Sequence, residues 1–372
     1  MSSANKAFFE TAYEYLGVHR EDASYIFRVW APRADAVYLI GDFNGWNESD
    51  PMTRLEGGIW ERSVCAANIS EGDLYKYKIK NGSKDLYKAD PYSFCSKDAE
   101  ETASVVADVF GYEWRDKGWL EYRRNSSENK PINIYKIHAT SWNRHDNGTV
   151  YSWRELAIEL APYVKQMGYT HIELMPIMEQ ADDGLFGYSV DSFYAPSARM
   201  GSPYDFMGFI DSMHEAGVGV ILDLILSRFT KNAHSLAEFD GQPLYEKDCE
   251  VNLNGTRIFD IGRNEVKSFL ISNAHFWIDV YHADGIRLDI DFEAETDISH
   301  DLRSSVKERF PDVLFPQKKA LFMGSEIGQH WEKERTPSVK WHLLDCESNR
   351  KLQYCVAEHN HLYLKGSTCL RS

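Results

Sequence analysis

The apolar positions of this chain change period along its length. Over residues 1–17, Phe8, Phe9, Ala12, Tyr15 and Leu16 recur at helical spacing, which predicts a short amphipathic helix within an N-terminal segment 1–19. From residue 24 the period shortens to two. Tyr25–Trp30, Ala36–Ile40, Ile59–Val64 and Tyr75–Ile79 read as strands. Asn44-Gly45, Gly57-Gly58 and Asn81-Gly82 are the turn signals between them. Short strands at this spacing predict a β-sandwich, assigned to residues 20–122. The polar, aperiodic stretch Arg123–Pro131 is assigned as a linker, 123–131.

A different order governs residues 132–372. Ile134–His138, His171–Met175, Val218–Leu222 and Gly285–Ile290 have strand character. Between them lie helical patterns over Trp153–Met167, Tyr204–Ala216 and Val266–Tyr281. Ser152 and Glu155 have the spacing of a capping box at the start of the first helix, and Gly217 ends the second. Repeated β-α units imply a parallel sheet with crossover helices, either a barrel or a doubly wound fold.

A chain of 372 residues accommodates about two domains at ~150 residues each. Its net charge of −16 repels nucleic acid and anionic lipid, so neither a nucleic-acid nor a membrane partner is expected. That acidity is compatible with a neutral sugar polymer, and equally with solubility alone. The ten Trp and 21 Tyr supply rings able to cover sugar faces, although most such rings belong to cores. The six Cys are scattered, without a CxxC pair or zinc spacing. They read as reduced thiols of a cytoplasmic protein, and no metal or cofactor is expected. The N-terminus lacks the basic and apolar regions of a signal peptide, and the most apolar stretch, Val218–Leu226, is too short for a membrane span and contains Asp223.

Ordered motifs then carry a family resemblance. Phe27–Pro32, Gly41–Asn47 (GDFNGWN) and Lys88–Tyr92 are similar to the glycogen-binding-type sandwich module of glycogen branching enzymes, in the α-amylase superfamily. Tyr135–His138, Glu173–Pro176, Gly187-Tyr188, Tyr194–Pro196, Gly262–Val266, Asp284–Asp289 and Phe322–Gln329 resemble segments of their (β/α)8 barrel. The resemblance implies a multidomain β plus α/β protein: a β-sandwich carbohydrate-binding module followed by an incomplete (β/α)8 barrel. It implies a retaining transfer of an α-1,4-glucan chain to a 6-hydroxyl, with glycogen or a related glucan as partner. It places the nucleophile on Asp289, supported by Arg287, and sugar contacts on Tyr188, Asp183 and Asp223. A guanidinium beside a carboxylate keeps it ionised and oriented. Trp46 and Trp60 are the exposed-ring candidates of the sandwich. Each position also has a structural reading: Asp223 as a turn cap, Tyr188 and the two Trp as packed rings, Arg287–Asp289 as an ion pair, Asp183 as a solvated loop residue.

Two departures qualify the resemblance. Arg228 stands where the third-strand motif ends in a sugar-contacting histidine, and arginine is larger and permanently charged. Between Leu314 and Leu321 the sequence passes from the start of one strand into the eighth-strand motif, so the fifth to seventh strands and the general-acid glutamate are missing. The β-domain that follows the barrel in the family is not recognisable either. Glu326 is a weak substitute for the acid. Ser299-His300-Asp301 reads better as a helix N-terminus than as a relic of the distal His-Asp pair. Without acid assistance, departure of a sugar alkoxide loses a factor of roughly 10²–10⁴. Five strands also cannot close an eight-stranded barrel, so the fourth and eighth strands must either pair or leave two edges. Impaired branching, a non-catalytic glucan binder and a deletion product without a stable role all follow as alternatives.

Overall fold

In the computed structural model, residues 10–97, 102–126, 130–180, 186–251, 256–289, 297–317, 320–331 and 338–366 are described. The period-2 segments form two antiparallel sheets. Strands β1 (Gly17–Glu21), β2 (Ser24–Trp30) and β4 (Ile59–Cys65) build one, and β3 (Ala36–Gly41), β5 (Leu74–Asn81) and β6 (Lys84–Lys88) the other. Alternation explains the packing. In β5, Tyr75, Tyr77 and Ile79 are fully buried, and Phe27 meets Tyr75 edge-on at 5.0 Å from the facing sheet.

The expected N-terminal helix falls largely on residues 1–9, which lie outside the described residues. Its C-terminal end is corrected: residues 12–14 form a short 3-10 turn, and Gly17–Glu21 is a strand paired to β2 from Gly17↔Arg28 to Glu21↔Ser24. Ala12 and Leu16 are buried as expected and Tyr15 only half-buried, while Tyr13, outside the expected stripe, is buried against a distant helix: its hydroxyl donates to Asp279 at 2.7 Å. The start of the linker is also corrected. Helix α1 (Lys117–Asn125) carries Arg123, which pairs with Asp284 at 3.0 Å and Asp312 at 2.6 Å. Those two partners lie far along the sequence, beyond the reach of local pattern.

The second half holds a five-stranded parallel sheet. Its strands β7 (Ile134–Ile137), β8 (His171–Leu174), β9 (Gly219–Ile225) and β10 (Gly285–Asp289) lie side by side in chain order, and β11 (Leu321–Phe322) pairs with the outer side of β7. Helices α2 (Trp153–Gln166), α3 (Pro203–Glu215) and α4 (Asn264–Asp279) make the crossovers, followed by α5 (Asp297–Arg309) and α6 (Glu347–Leu364). Right-handed connections between sequential neighbours put the crossover helices on one face, as in a barrel wall. α2 begins with the expected box: Glu155 N–H donates to the Ser152 hydroxyl and Ser152 N–H to the Glu155 carboxylate.

The wall remains open. Among the described residues, β10 and β11 are the two ends of the strand order and do not pair. Leu314 forms a single parallel bridge to Gly285, and by residue 321 the chain is already beside Tyr135 on the far side of the sheet. Among the described residues, the outcome with separate edges is the one seen.

Candidate functional site

Sheet register decides which side chains share a face. Lys136 lies beside Glu173, Glu173 beside Ile221, Asp223 beside Arg287 and Ile225 beside Asp289. Neighbours across a parallel ladder point the same way, and residues alternate along each strand. Lys136, Glu173, Asp223, Arg287 and Asp289 therefore project from the concave face. Tyr135, Ile172, Leu222 and Ile286 project from the other, into the helix layer, and are fully buried.

The concave face is an ion-pair network. Lys136 Nζ donates to Asp223 Oδ2 at 2.6 Å and sits 2.8 Å from Glu173 Oε1. The Tyr188 hydroxyl donates to the same Asp223 oxygen at 2.6 Å. Arg287 reaches Glu173 Oε2 at 3.4 Å. Burial opposes charge on Lys136, but Asp223 and Glu173 outweigh it and raise its pKa. Burial and then the Asp223 charge push the Tyr188 phenol well up, so it remains a donor. Sequence reasoning missed Lys136 and the role of Glu173. The signal was there: a lysine and a glutamate inside otherwise apolar strands, Ile134–Ile137 and His171–Leu174, must face something polar.

The candidates thus fare differently. Asp223, Tyr188, Arg287 and Asp289 converge on the concave face. Asp223 is not a turn cap; it is a buried acceptor for Lys136 and Tyr188. Arg287 supports Glu173, and Asp289 instead receives Arg228 Nη2 at 3.0 Å. Arg228 reaches it from a short strand, Arg228–Phe229, just beyond β9. Asp183 lies outside the described residues.

Glu326 is ruled out as the acid by its position. Its Oε1 accepts hydrogen bonds from the hydroxyls of Tyr135 at 2.6 Å and Tyr163 at 2.7 Å, within the helix layer. It is fully buried behind the sheet, on the face opposite Asp289. Burial raises its pKa. His300-Asp301 lies in the first turns of α5, where Asp301 meets Lys267 at 3.3 Å. The helix reading of that pair holds.

In the sandwich the two Trp separate. Trp60 is core: it is buried, and its indole N–H donates to the Ala31 carbonyl at 2.9 Å, which corrects its candidacy as an exposed ring. Trp46 is 40% exposed. The Gly41–Asn47 loop is built to hold it out. Asp42 accepts from the Trp46 indole at 2.9 Å and from Leu74 N–H at 2.9 Å, and Asn44 accepts from Gly41 N–H at 3.0 Å. Gly45 and Trp46 both have left-handed backbones, φ 64° and 61°. That conformation is costly for a bulky residue and persists here because side-chain hydrogen bonds lock the turn. A Cβ on Gly41 would lie 2.4 Å from the Leu74 carbonyl oxygen, so only glycine fits there.

Comparisons with known proteins agree with this architecture. Residues 15–93 match the family Carbohydrate-binding module 48 (Isoamylase N-terminal domain), and residues 132–243 match the Alpha amylase, catalytic domain family. The chain is 41% identical over 325 residues to the 1,4-alpha-glucan branching enzyme GlgB of Fusobacterium nucleatum, covering 82% of this chain and 53% of that protein. It is 43% identical over 311 residues to the enzyme of that name from Thermosynechococcus vestitus, covering 74% and 40%. The chain thus spans about half the length of the curated relatives it matches. Among solved structures, a putative alpha amylase from Salmonella typhimurium superposes with a TM-score of 0.67 at 23% identity, over 83% of this chain and 48% of that one. A pullulanase from Anoxybacillus, complexed with maltotetraose, gives 0.65 at 22%, over 81% and 48%. At such identities these two establish the fold.

Proposed function

The chain belongs to the family of 1,4-α-glucan branching enzymes, and from that premise we propose that it binds α-1,4-glucan through its sandwich while transferring glucan chains poorly or not at all. The observation that carries this reading is the disposition of carboxylates. Asp289 stands on the concave face, but Glu173 and Asp223 beside it are held by Lys136, Arg287 and Tyr188, and Glu326 lies behind the sheet. Retaining transfer needs two carboxyl groups flanking one bond, one of them an acid placed at the leaving oxygen. Among the described residues, Asp289 is the strand-end carboxylate of that face left to act on a sugar, and Arg228 occupies it.

Binding rests on different residues. Trp46 presents an indole on a rigid loop within the matched carbohydrate-binding module. An acidic chain with exposed aromatic surface suits a neutral polymer. Among the described residues no helix is long and apolar enough to cross a membrane. Cytoplasmic residence, where glycogen is made, fits the thiols Cys65, Cys346 and Cys355, which are unpaired and exposed.

The test has two arms. Co-sedimentation with glycogen at low and high salt measures binding; retention at high salt is expected for stacking, and salt-sensitive loss would indicate charge-driven adhesion. A branch-linkage assay on amylose measures transfer. Robust activity that disappears in Asp289→Asn would overturn the catalytic half of the proposal and leave the binding half standing.

A further inference from the structure

On the helix-layer side of the sheet, away from Asp289, lies a cavity of about 350 Å³. It is an open hollow bordered by the short helix Ala139–Trp142, the second half of α2, the 3-10 turn Trp341–Asp345 and α6. Its wall is aromatic. Trp142, Trp341 and Tyr163 meet one another edge-on, with ring centroids 5.2, 5.4 and 5.6 Å apart. Both indole N–H groups are already committed: Trp341 Nε1 donates to the Trp142 carbonyl at 3.0 Å and Trp142 Nε1 to the Tyr135 hydroxyl at 3.3 Å. Trp142 is buried, so what the wall offers an occupant is the apolar face of the half-buried Trp341 and Tyr163.

The rim is polar. Asn143, Glu159, Gln166 and Gln353 line it, and among the described residues no lysine or arginine does. The Glu159 carboxylate is held in place by Asn143 Nδ2 at 3.0 Å and the Tyr151 hydroxyl at 3.2 Å. Gln353 Nε2 points to the Tyr163 hydroxyl at 3.4 Å. Amides and a fixed carboxylate are bidentate partners for vicinal hydroxyls. A phosphate or carboxylate ligand would meet a negative group and no counter-charge.

We propose that this cavity is a second α-glucan site, binding one or two glucosyl units of a chain independently of both Trp46 and Asp289. A pyranose ring has an apolar C–H face for the aromatic wall and a rim of hydroxyls for Asn143, Glu159 and Gln353. The volume falls at the small end of ligand sites, roughly 300–1,000 Å³, which suits a chain end rather than a long glucan segment. The choice of α-glucan among sugars rests on the proposed function. The neutral-sugar chemistry rests on the cavity itself. Two sites on different modules would let one chain hold a branched polymer at two points, with the avidity such linkage gives.

The experiment uses the full chain carrying Trp46→Ala, which silences the exposed ring of the sandwich. Tryptophan fluorescence is titrated with maltotriose, with cellotriose as the stereochemical control and inorganic phosphate as the charged control. Saturable binding of maltotriose is expected, weaker binding of cellotriose, and none of phosphate. Adding Asn143→Ala or Gln353→Ala, both on the rim, should weaken maltotriose by about tenfold or more, roughly 1.4 kcal/mol. Trp341→Phe, which keeps packing while shrinking the aromatic face, should weaken it as well. Absence of saturation, or affinity unmoved by the rim substitutions, overturns the proposal. Glycogen co-sedimentation by the wild-type chain separates the two claims. If that binding is abolished by Trp46→Ala and untouched by the rim substitutions, this site falls and the sandwich reading stands; if the wild-type chain fails to sediment with glycogen, the sandwich reading falls.

Discussion

Arg228 Nη2 donates to Asp289 Oδ2 at 3.0 Å, so the carboxylate with the best claim to attack a sugar is engaged by a cation from the neighbouring strand end. The Arg228 side chain is 17% exposed and that of Asp289 35%, so the pair sits at the mouth of the concave face. A sugar entering this face must displace or bypass the guanidinium. The family pattern has a neutral, smaller ring at that point.

Asp289→Asn is therefore expected to change little. On the proposed reading, in which no acid assists, transfer should already be reduced by a factor of roughly 10²–10⁴ or more. The branch-linkage assay should return the same near-background rate for wild type and variant. Arg228→His alone should not rescue it, because it frees Asp289 without supplying an acid.

Glu326→Ala is expected to act on stability. It would leave the buried hydroxyls of Tyr135 and Tyr163 without their shared acceptor, at a cost of about 1–3 kcal/mol. Urea unfolding should show the loss. A fall in transfer rate with unchanged stability would mean that Glu326 reaches substrate after all.

The two sandwich tryptophans should separate cleanly. Trp60→Ala removes a buried ring of β4, at the position paired with Val29 of β2, and should destabilise by about 3–5 kcal/mol. Trp46→Ala should leave the unfolding midpoint nearly unchanged and weaken glycogen co-sedimentation. The reverse pattern would reassign the sandwich surface.

A histidine clamp gives a pH signature. His214 lies between two carboxylates, with Nδ1 2.9 Å from Asp116 and Nε2 2.9 Å from Asp284. Burial disfavours its charged form, but the Asp284 charge and the hydrogen bonds to Asp116 and Asp284 prevail and raise its pKa from 6.5 to about 9. Because the folded value is raised, the contribution to stability is complete below about pH 6.5 and is lost as pH rises through about 9. For Asp116, burial is outweighed by the hydrogen bonds from His214 and His282, and its pKa falls to about 2. Its contribution is present above the ordinary carboxylate range and is lost as pH falls towards 2. Long-range proton–nitrogen spectra of the imidazoles should show His214 doubly protonated at pH 7 and titrating near 9. A neutral His214 at pH 7 would refute the clamp.

Much of this molecule is legible in its sequence because the information is local. Strict alternation in Tyr75-Lys76-Tyr77-Lys78-Ile79 requires a two-faced strand. Ser152 and Glu155 cap α2 through bonds three residues apart. Gly41–Asn47 folds on itself, so its turn is written into seven consecutive residues. Other features needed the tertiary structure. Trp46 and Trp60 are both rings in strand-rich sequence, and only packing puts one outside and the other at the Ala31 carbonyl. Lys136 is one more strand residue until register sets it beside Glu173 and within reach of Asp223, 87 positions away. Glu326 shares a strand-end motif with functional residues of the family, yet it follows Tyr135 into the helix layer. Which face a side chain takes depends on strand direction and register, which are fixed by partners remote in sequence. The sequence alone therefore determined most of the elements and the family. The fold decided which charges meet, and so left Asp289 beside Arg228 and Glu326 behind the sheet.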